Sequence, residues 1–161
     1  MDAYAALVRA CEPAARRLAF VLSGQEADDA VQEAIVKGWY SLDRFRGDAP
    51  FRAWLLRIVA NEARNRRRAA GRRAVYELRA PDARVAPAAE SAALATAERQ
   101  AVAAAVAALP EKLRDVVACR HLLELSEAET ATVLGVPAGT VKSRSARGLD
   151  RLRNALEVER D

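Results

Sequence analysis

Apolar positions recur every three to four residues along most of this chain, the spacing of helices that bury one face. Leu7, Cys11, Ala14, Leu18, Val21 and Leu22 mark a first helix over Tyr4–Leu22, and Pro13 predicts a kink or a boundary within it. Ser23-Gly24 breaks that helix. Ala30, Val31, Ala34, Ile35, Gly38 and Trp39 then carry a core stripe through a second, from Glu26 to Leu42. A loop holding Gly47, Asp48 and Pro50 leads into a third, whose apolar stripe is Phe51, Trp54, Leu55, Ile58 and Val59. Residues 74–93 lose the period and contain Pro81 and Pro87, which predicts a flexible linker. The period returns near Leu94 with Ala97, Ala101, Val102, Ala105, Val106 and Leu109. Pro110 closes that helix and opens the next, carrying Leu113, Val116 and Val117.

The last part of the chain is more specific. Ser126 and Glu129 have the spacing of a capping box, Gly135 suits a left-handed stop, and Val136-Pro137 predicts a tight turn. A final helix begins near Ala138. Val141, Ser145, Gly148, Leu149, Leu152 and Leu156 share one of its faces, and Gly139, Lys142, Ser143, Ala146, Arg147 and Asp150 share the other. Two helices about a glycine-containing turn, the second with a polar and basic outer face, predict a helix-turn-helix, with an incidental helical hairpin as the alternative. Lys142 and Arg147 carry donors for guanine O6 and N7, Ser143 suits base or phosphate, and Ala146 is small enough to meet a thymine methyl. Arg144, Arg151 and Arg153 lie toward the flanks, placed for backbone phosphates.

Composition supports an all-α chain: 52% of the 161 residues are hydrophobic, much of that alanine, and only 5% are aromatic. The pattern divides it into two small helical domains, 1–73 and 94–161, joined by the linker 74–93. The net charge of +4 is unevenly placed, because residues 61–79 alone carry seven basic against two acidic side chains. That excess falls at the end of the third helix. There a helical wheel sets Asn61, Arg64, Asn65 and Arg68 in one row beside Trp54. Amides read base edges, arginines hold phosphates, and Phe45 in the preceding loop offers a stacking plane, so the segment suits a nucleic-acid strand. A solvated arginine-rich helix end is the alternative, since cations favour a helix C-terminus.

Asp28, Asp29, Gln32 and Glu33 crowd the start of the second helix, where they either complement its dipole or dock a basic partner protein. Cys11 and Cys119, far apart in apolar surroundings, read as buried free thiols, with a disulfide or reactive pair as the alternative. Catalysis is not expected: there is no phosphate-cradling glycine loop, no metal-ligand set and no nucleophile with a plausible base. No cofactor is expected either. Charges interrupt the N-terminal apolar residues, and no apolar run approaches the roughly 20 residues of a membrane span, so the chain reads as cytoplasmic, without membrane insertion.

The motifs DDAVQE, FRGD, WLLRIVAN and GVPAGTVKSR, in this order, resemble regions two and four of bacterial RNA polymerase sigma factors, and a short chain with only those regions resembles the extracytoplasmic-function (ECF) group. The resemblance covers nearly all of the chain except the linker and termini. It implies that Asp28, Asp29, Gln32 and Glu33 bind the clamp of core RNA polymerase. It implies that Arg44, Phe45, Asn61, Arg64, Asn65 and Arg68 capture the non-template strand of the minus-ten element. Thr140, Lys142, Ser143, Arg144, Ala146 and Arg147 would enter the major groove of the minus-thirty-five element while the rest of that domain holds the polymerase flap. An anti-sigma factor wedged between the domains is the family's usual restraint. Thr130 and Glu127 depart from the family pattern, and Ser145 and Gly148 soften the buried side of the last helix, which predicts a second domain that is less rigid alone or leans more on polymerase contacts. A stand-alone helix-turn-helix regulator is the rival; it leaves the Asn/Arg helix and the linker without a task.

Overall fold

The computed structural model describes residues 2–77 and 94–158, and among them every regular element is helical. Helix α1 spans Asp2–Ser23, α2 Ala27–Tyr40 and α3 Phe51–Glu77; α4 spans Leu94–Ala108, α5 Glu111–Val117, α6 Glu127–Leu134 and α7 Ala138–Val158. Pro13 lies inside α1 without ending it, so the boundary suggested there is absent. α3 continues to Glu77, four residues into the stretch expected to be linker; the rest of that stretch lies outside the described residues.

The first three helices form a bundle closed by small residues. Ala15 and Ala19 of α1, Ala30 and Ala34 of α2, and Ala53, Ala60 and Ala63 of α3 are all buried. They let the backbones approach, while Leu18, Leu22, Leu56 and Val59 fill the space between. Gly38 extends this logic. A Cβ there would stand 2.6 Å from the Tyr4 hydroxyl, which donates to the Ile35 carbonyl at 2.6 Å. Tyr4 also stacks edge-on against Trp39 and Phe51, fixing the start of α1 to the ends of α2 and α3.

In the second set of helices, Gly148 and Ser145 both sit where α7 meets a neighbouring element. Gly148 is buried where α7 crosses α5: a Cβ would stand 2.6 Å from Val117 Cγ2. The missing bulk is what allows the crossing. Ser145 meets the His121 ring at 3.1 Å, so it ties α7 to the turn after α5. Thr130 is fully buried with no hydrogen-bond partner for its hydroxyl.

The two sets share one core. α6 packs on α3, and buried Val116, Ala118, Cys119, Leu125 and Val133 belong to the same apolar cluster as Leu56, Val59 and Ala63. Both thiols are free and buried. Burial pushes Cys119 up to about 12, with Asp115 adding and Arg64 opposing; burial also raises Cys11, against Arg52. At pH 8 a thiol with a pKa of about 12 is about 0.01% thiolate. Iodoacetamide at pH 8 is expected to leave both cysteines of the native protein unmodified and to alkylate both in urea, as read by intact mass.

Candidate nucleic-acid interface

The helix-turn-helix forms as its sequence dictates. The Ser126 hydroxyl accepts from the Glu129 amide at 3.0 Å, and the Ser126 amide donates to the Glu129 carboxylate at 2.8 Å. Gly135 takes φ 65°, ψ 39°, the left-handed conformation that ends α6. Thr140 and Val141 amides donate to the Pro137 carbonyl, starting α7 at the next turn. Buried Val133, Leu134 and Val141 hold the two helices together. Lys142, Ser143, Ala146 and Arg147 are thereby exposed, while Thr140 and Arg144 are half-buried. Arg147 Nε donates to the Ser143 carbonyl at 3.3 Å, which leaves the terminal nitrogens of its guanidinium for a ligand.

On α3 the expected row is present but unevenly open. Asn61, Asn65 and Arg68 are exposed; Arg64 is half-buried. Arg64 Nε donates to Asp115 Oδ2 at 2.8 Å, and one helical turn on, Arg68 stands 3.6 Å from Glu111. Arg66 and Arg73 both reach Glu26, at 3.4 and 2.8 Å. Arg44 is exposed on the loop before α3, and Phe45 packs against Phe51 and Trp54 with centroids 5.8 and 5.3 Å apart. Asn61 lies seven residues beyond Trp54, about 10 Å along the helix axis. The loop and the amides therefore line an extended track.

Asp115 and Glu111 were not legible as part of this region. Helical periodicity identifies which face of α5 meets its own bundle, and Asp115, at 3% exposure, is paired with Arg64 of α3 as well. Its carboxyl is raised by burial, which outweighs the lowering by Arg64.

Asp28, Asp29, Gln32 and Glu33 are all exposed on α2. None is the N-cap, and Glu26, which is, makes no side-chain cap bond, so capping in the hydrogen-bonding sense is not their role. Asp28 meets Arg16 at 2.5 Å and Glu33 meets Lys37 at 3.5 Å, contacts that an incoming cation can exchange. Val36 and Tyr40, 52% and 79% exposed, continue the same face. Their signal in the sequence was their departure from the core stripe.

A helix-turn-helix with an open basic face, and a second helix bearing a row of amides and arginines, have the character of a DNA-binding protein. Residues 7–73 match the family Sigma-70 region 2, and residues 99–152 match Sigma-70, region 4. The ECF RNA polymerase sigma-E factor of Escherichia coli (strain K12) is 36% identical over 156 residues, covering 86% of this chain and 77% of that protein. The RNA polymerase sigma-H factor of Pseudomonas aeruginosa matches with the same identity and coverage. The sigma factor RpoE of Bartonella quintana, solved in complex with the anti-sigma factor NepR, superposes with a TM-score of 0.78 at 27% identity, over 98% of this chain and 99% of that one. CnrH, solved with the cytosolic domain of CnrY, superposes with a TM-score of 0.71 at 27% identity, over 98% and 89%. The chain belongs to the ECF RNA polymerase sigma factors. Such a chain selects promoters for transcription initiation, and the stand-alone regulator is not favoured. Among the described residues no three His, Cys, Asp or Glu side chains gather as a metal site, and no helix is long and apolar enough to cross a membrane.

Proposed function

We propose that α2 docks this sigma factor on the clamp of core polymerase through Asp29, Gln32, Glu33, Val36 and Tyr40, with Asp28 at its edge. The α3 track then takes the non-template strand of the minus-ten element: Asn61 and Asn65 read base edges, Arg64 and Arg68 hold phosphates, and Arg44 and Phe45 guide the strand at the loop. α7 enters the major groove of the minus-thirty-five element with Lys142, Ser143, Ala146 and Arg147, while Thr140 and Arg144 contact its margin and the rest of that domain meets the flap. The chain acts in the cytoplasm, as a specificity subunit without catalysis of its own. The carrying observation is that Asn61 and Asn65 on α3, and Lys142, Ser143, Ala146 and Arg147 on the recognition helix, stand exposed on different domains of one chain.

An anti-sigma partner fits the groove between α1 and α4. Phe20, Val102 and Leu122 are exposed there at 67%, 43% and 41%, beside Arg67 and Arg114, whose buried guanidinium nitrogens include unpartnered ones. An amphipathic helix bearing a carboxylate would complete them. Transcription with purified core polymerase on a genomic promoter library tests the whole reading; new start sites sharing two spaced elements are expected, and no new transcript would refute it.

Two substitutions separate the steps. Asn61→Ala removes an exposed amide and is expected to abolish most promoter opening in permanganate footprints while core association stays within about twofold, since surface changes outside a contact face shift binding little. Reversal of Asp29 and Glu33 to lysine is expected to weaken core association by tenfold or more, about 1.4 kcal/mol. Association unchanged in a pull-down titration would leave those carboxylates as dipole partners only.

A further inference from the structure

Two of the arginines assigned to the minus-ten strand, Arg64 and Arg68, are already occupied. Arg64 and Arg68 stand one turn apart on α3, and Asp115 and Glu111 stand one turn apart on α5, so two carboxylates of the second domain face two guanidiniums of the first. Residues four apart on a helix present their side chains about 5–6 Å apart on one face, a step of the same order as that between neighbouring phosphates of a strand. Arg144, from the minus-thirty-five helix, lines the same small cleft with Leu134 and Val136. We propose that Glu111 and Asp115 act as an internal stand-in for DNA phosphates, covering the Arg64–Arg68 track until a nucleic-acid strand displaces them.

The energetics suit a displaceable cover. Asp115 lies almost wholly out of water, yet among the described residues its oxygen Oδ1 has no hydrogen-bond partner, only a 3.9 Å approach to Arg114 of its own helix, and Arg64 holds the other. Glu111 meets Arg68 at the longer distance of 3.6 Å, both side chains substantially exposed. A buried carboxylate so incompletely paired gives a specific arrangement with little net stability. Phosphates offer Arg64 and Arg68 equivalent acceptors without the desolvation of Asp115. Strand capture and domain closure then compete for the same two side chains, and the free chain binds DNA poorly through its first domain. Arginine-rich ends in isolation would do the reverse.

This inference rests on the reading of α3 as a strand-binding surface, and its test contains no polymerase, so its failure leaves core-directed transcription untouched. The probe is a fluorescein-labelled 20-nucleotide oligo-dT, with affinity followed by anisotropy across a series of NaCl concentrations. Each phosphate contact to a single strand adds about 0.7 to the log–log salt slope. The Glu111→Gln/Asp115→Asn protein is expected to bind more tightly than the unaltered chain, with a slope steeper by about 1.4 for two contacts. Glu111→Gln alone alters only a partly exposed side chain and is expected to steepen it by about 0.7. Asp2→Asn/Glu157→Gln matches the charge change at exposed sites elsewhere and is expected to leave the slope as it was. Adding Arg64→Ala/Arg68→Ala to the double variant is expected to remove the gain. An unchanged slope in both carboxylate variants, or an equal steepening in the charge-matched control, overturns the proposal.

Discussion

Gly148→Ala is expected to lower stability by about 1–3 kcal/mol, the range for forcing extra volume into a packed interior. The added Cβ would begin 2.6 Å from Val117 Cγ2. Val117 is 2% exposed and β-branched, so its side chain has neither room nor a second comfortable rotamer, and α7 must shift away from α5. The same substitution at Gly139, nine residues earlier in the same helix, meets nothing within 4 Å. Gly139→Ala is expected to gain up to about 0.5–1 kcal/mol from the lower backbone entropy of the unfolded chain. Chemical denaturation of the two variants reads out opposite signs from identical chemistry. Equal effects at both positions would mean that α5 and α7 are not pressed together at Gly148.

Arg147→Ala is expected to lose about 1–3 kcal/mol of discrimination at one base pair of the upstream promoter element, the range for a bidentate arginine–guanine contact. Arg147 is exposed, and its only hydrogen bond among the described residues joins Nε to its own helix. Truncation therefore removes a ligand contact without disturbing the fold. The measurement is a comparison of polymerase-dependent transcription across promoters mutated singly through that element. Sensitivity lost at one position identifies a base contact. A uniform loss at every promoter would instead assign Arg147 to a phosphate, the part given to Arg153, which is itself paired with Asp150 at 3.1 Å.

The contrast between these two positions shows where sequence reasoning succeeds. Arg147 could be placed outward from helical spacing alone, because a recognition helix bounded by Gly135 and a capping box has only one phase that buries Val141. Gly148 was legible only in part from the same spacing. Its place on the inner face was clear, but whether an absent side chain leaves a gap or permits contact depends on the distance to α5, and spacing carries no distance.

What the chain determined by itself is everything local: helices from apolar period, the stops at Gly24 and Gly135, the box at Ser126 and Glu129, and the outward polar faces of α2, α3 and α7. These follow from backbone geometry and from the burial of one face per helix, which neighbours in sequence decide together. Only the tertiary structure decided that α3 and α6 share a core, and that Asp115 and Glu111 lie on Arg64 and Arg68. Those contacts join residues separated by more than forty positions, and their existence depends on how two finished surfaces fit. A carboxylate on α5 carries no mark of the arginine it will meet, because the attraction is set by approach and desolvation after the helices have formed.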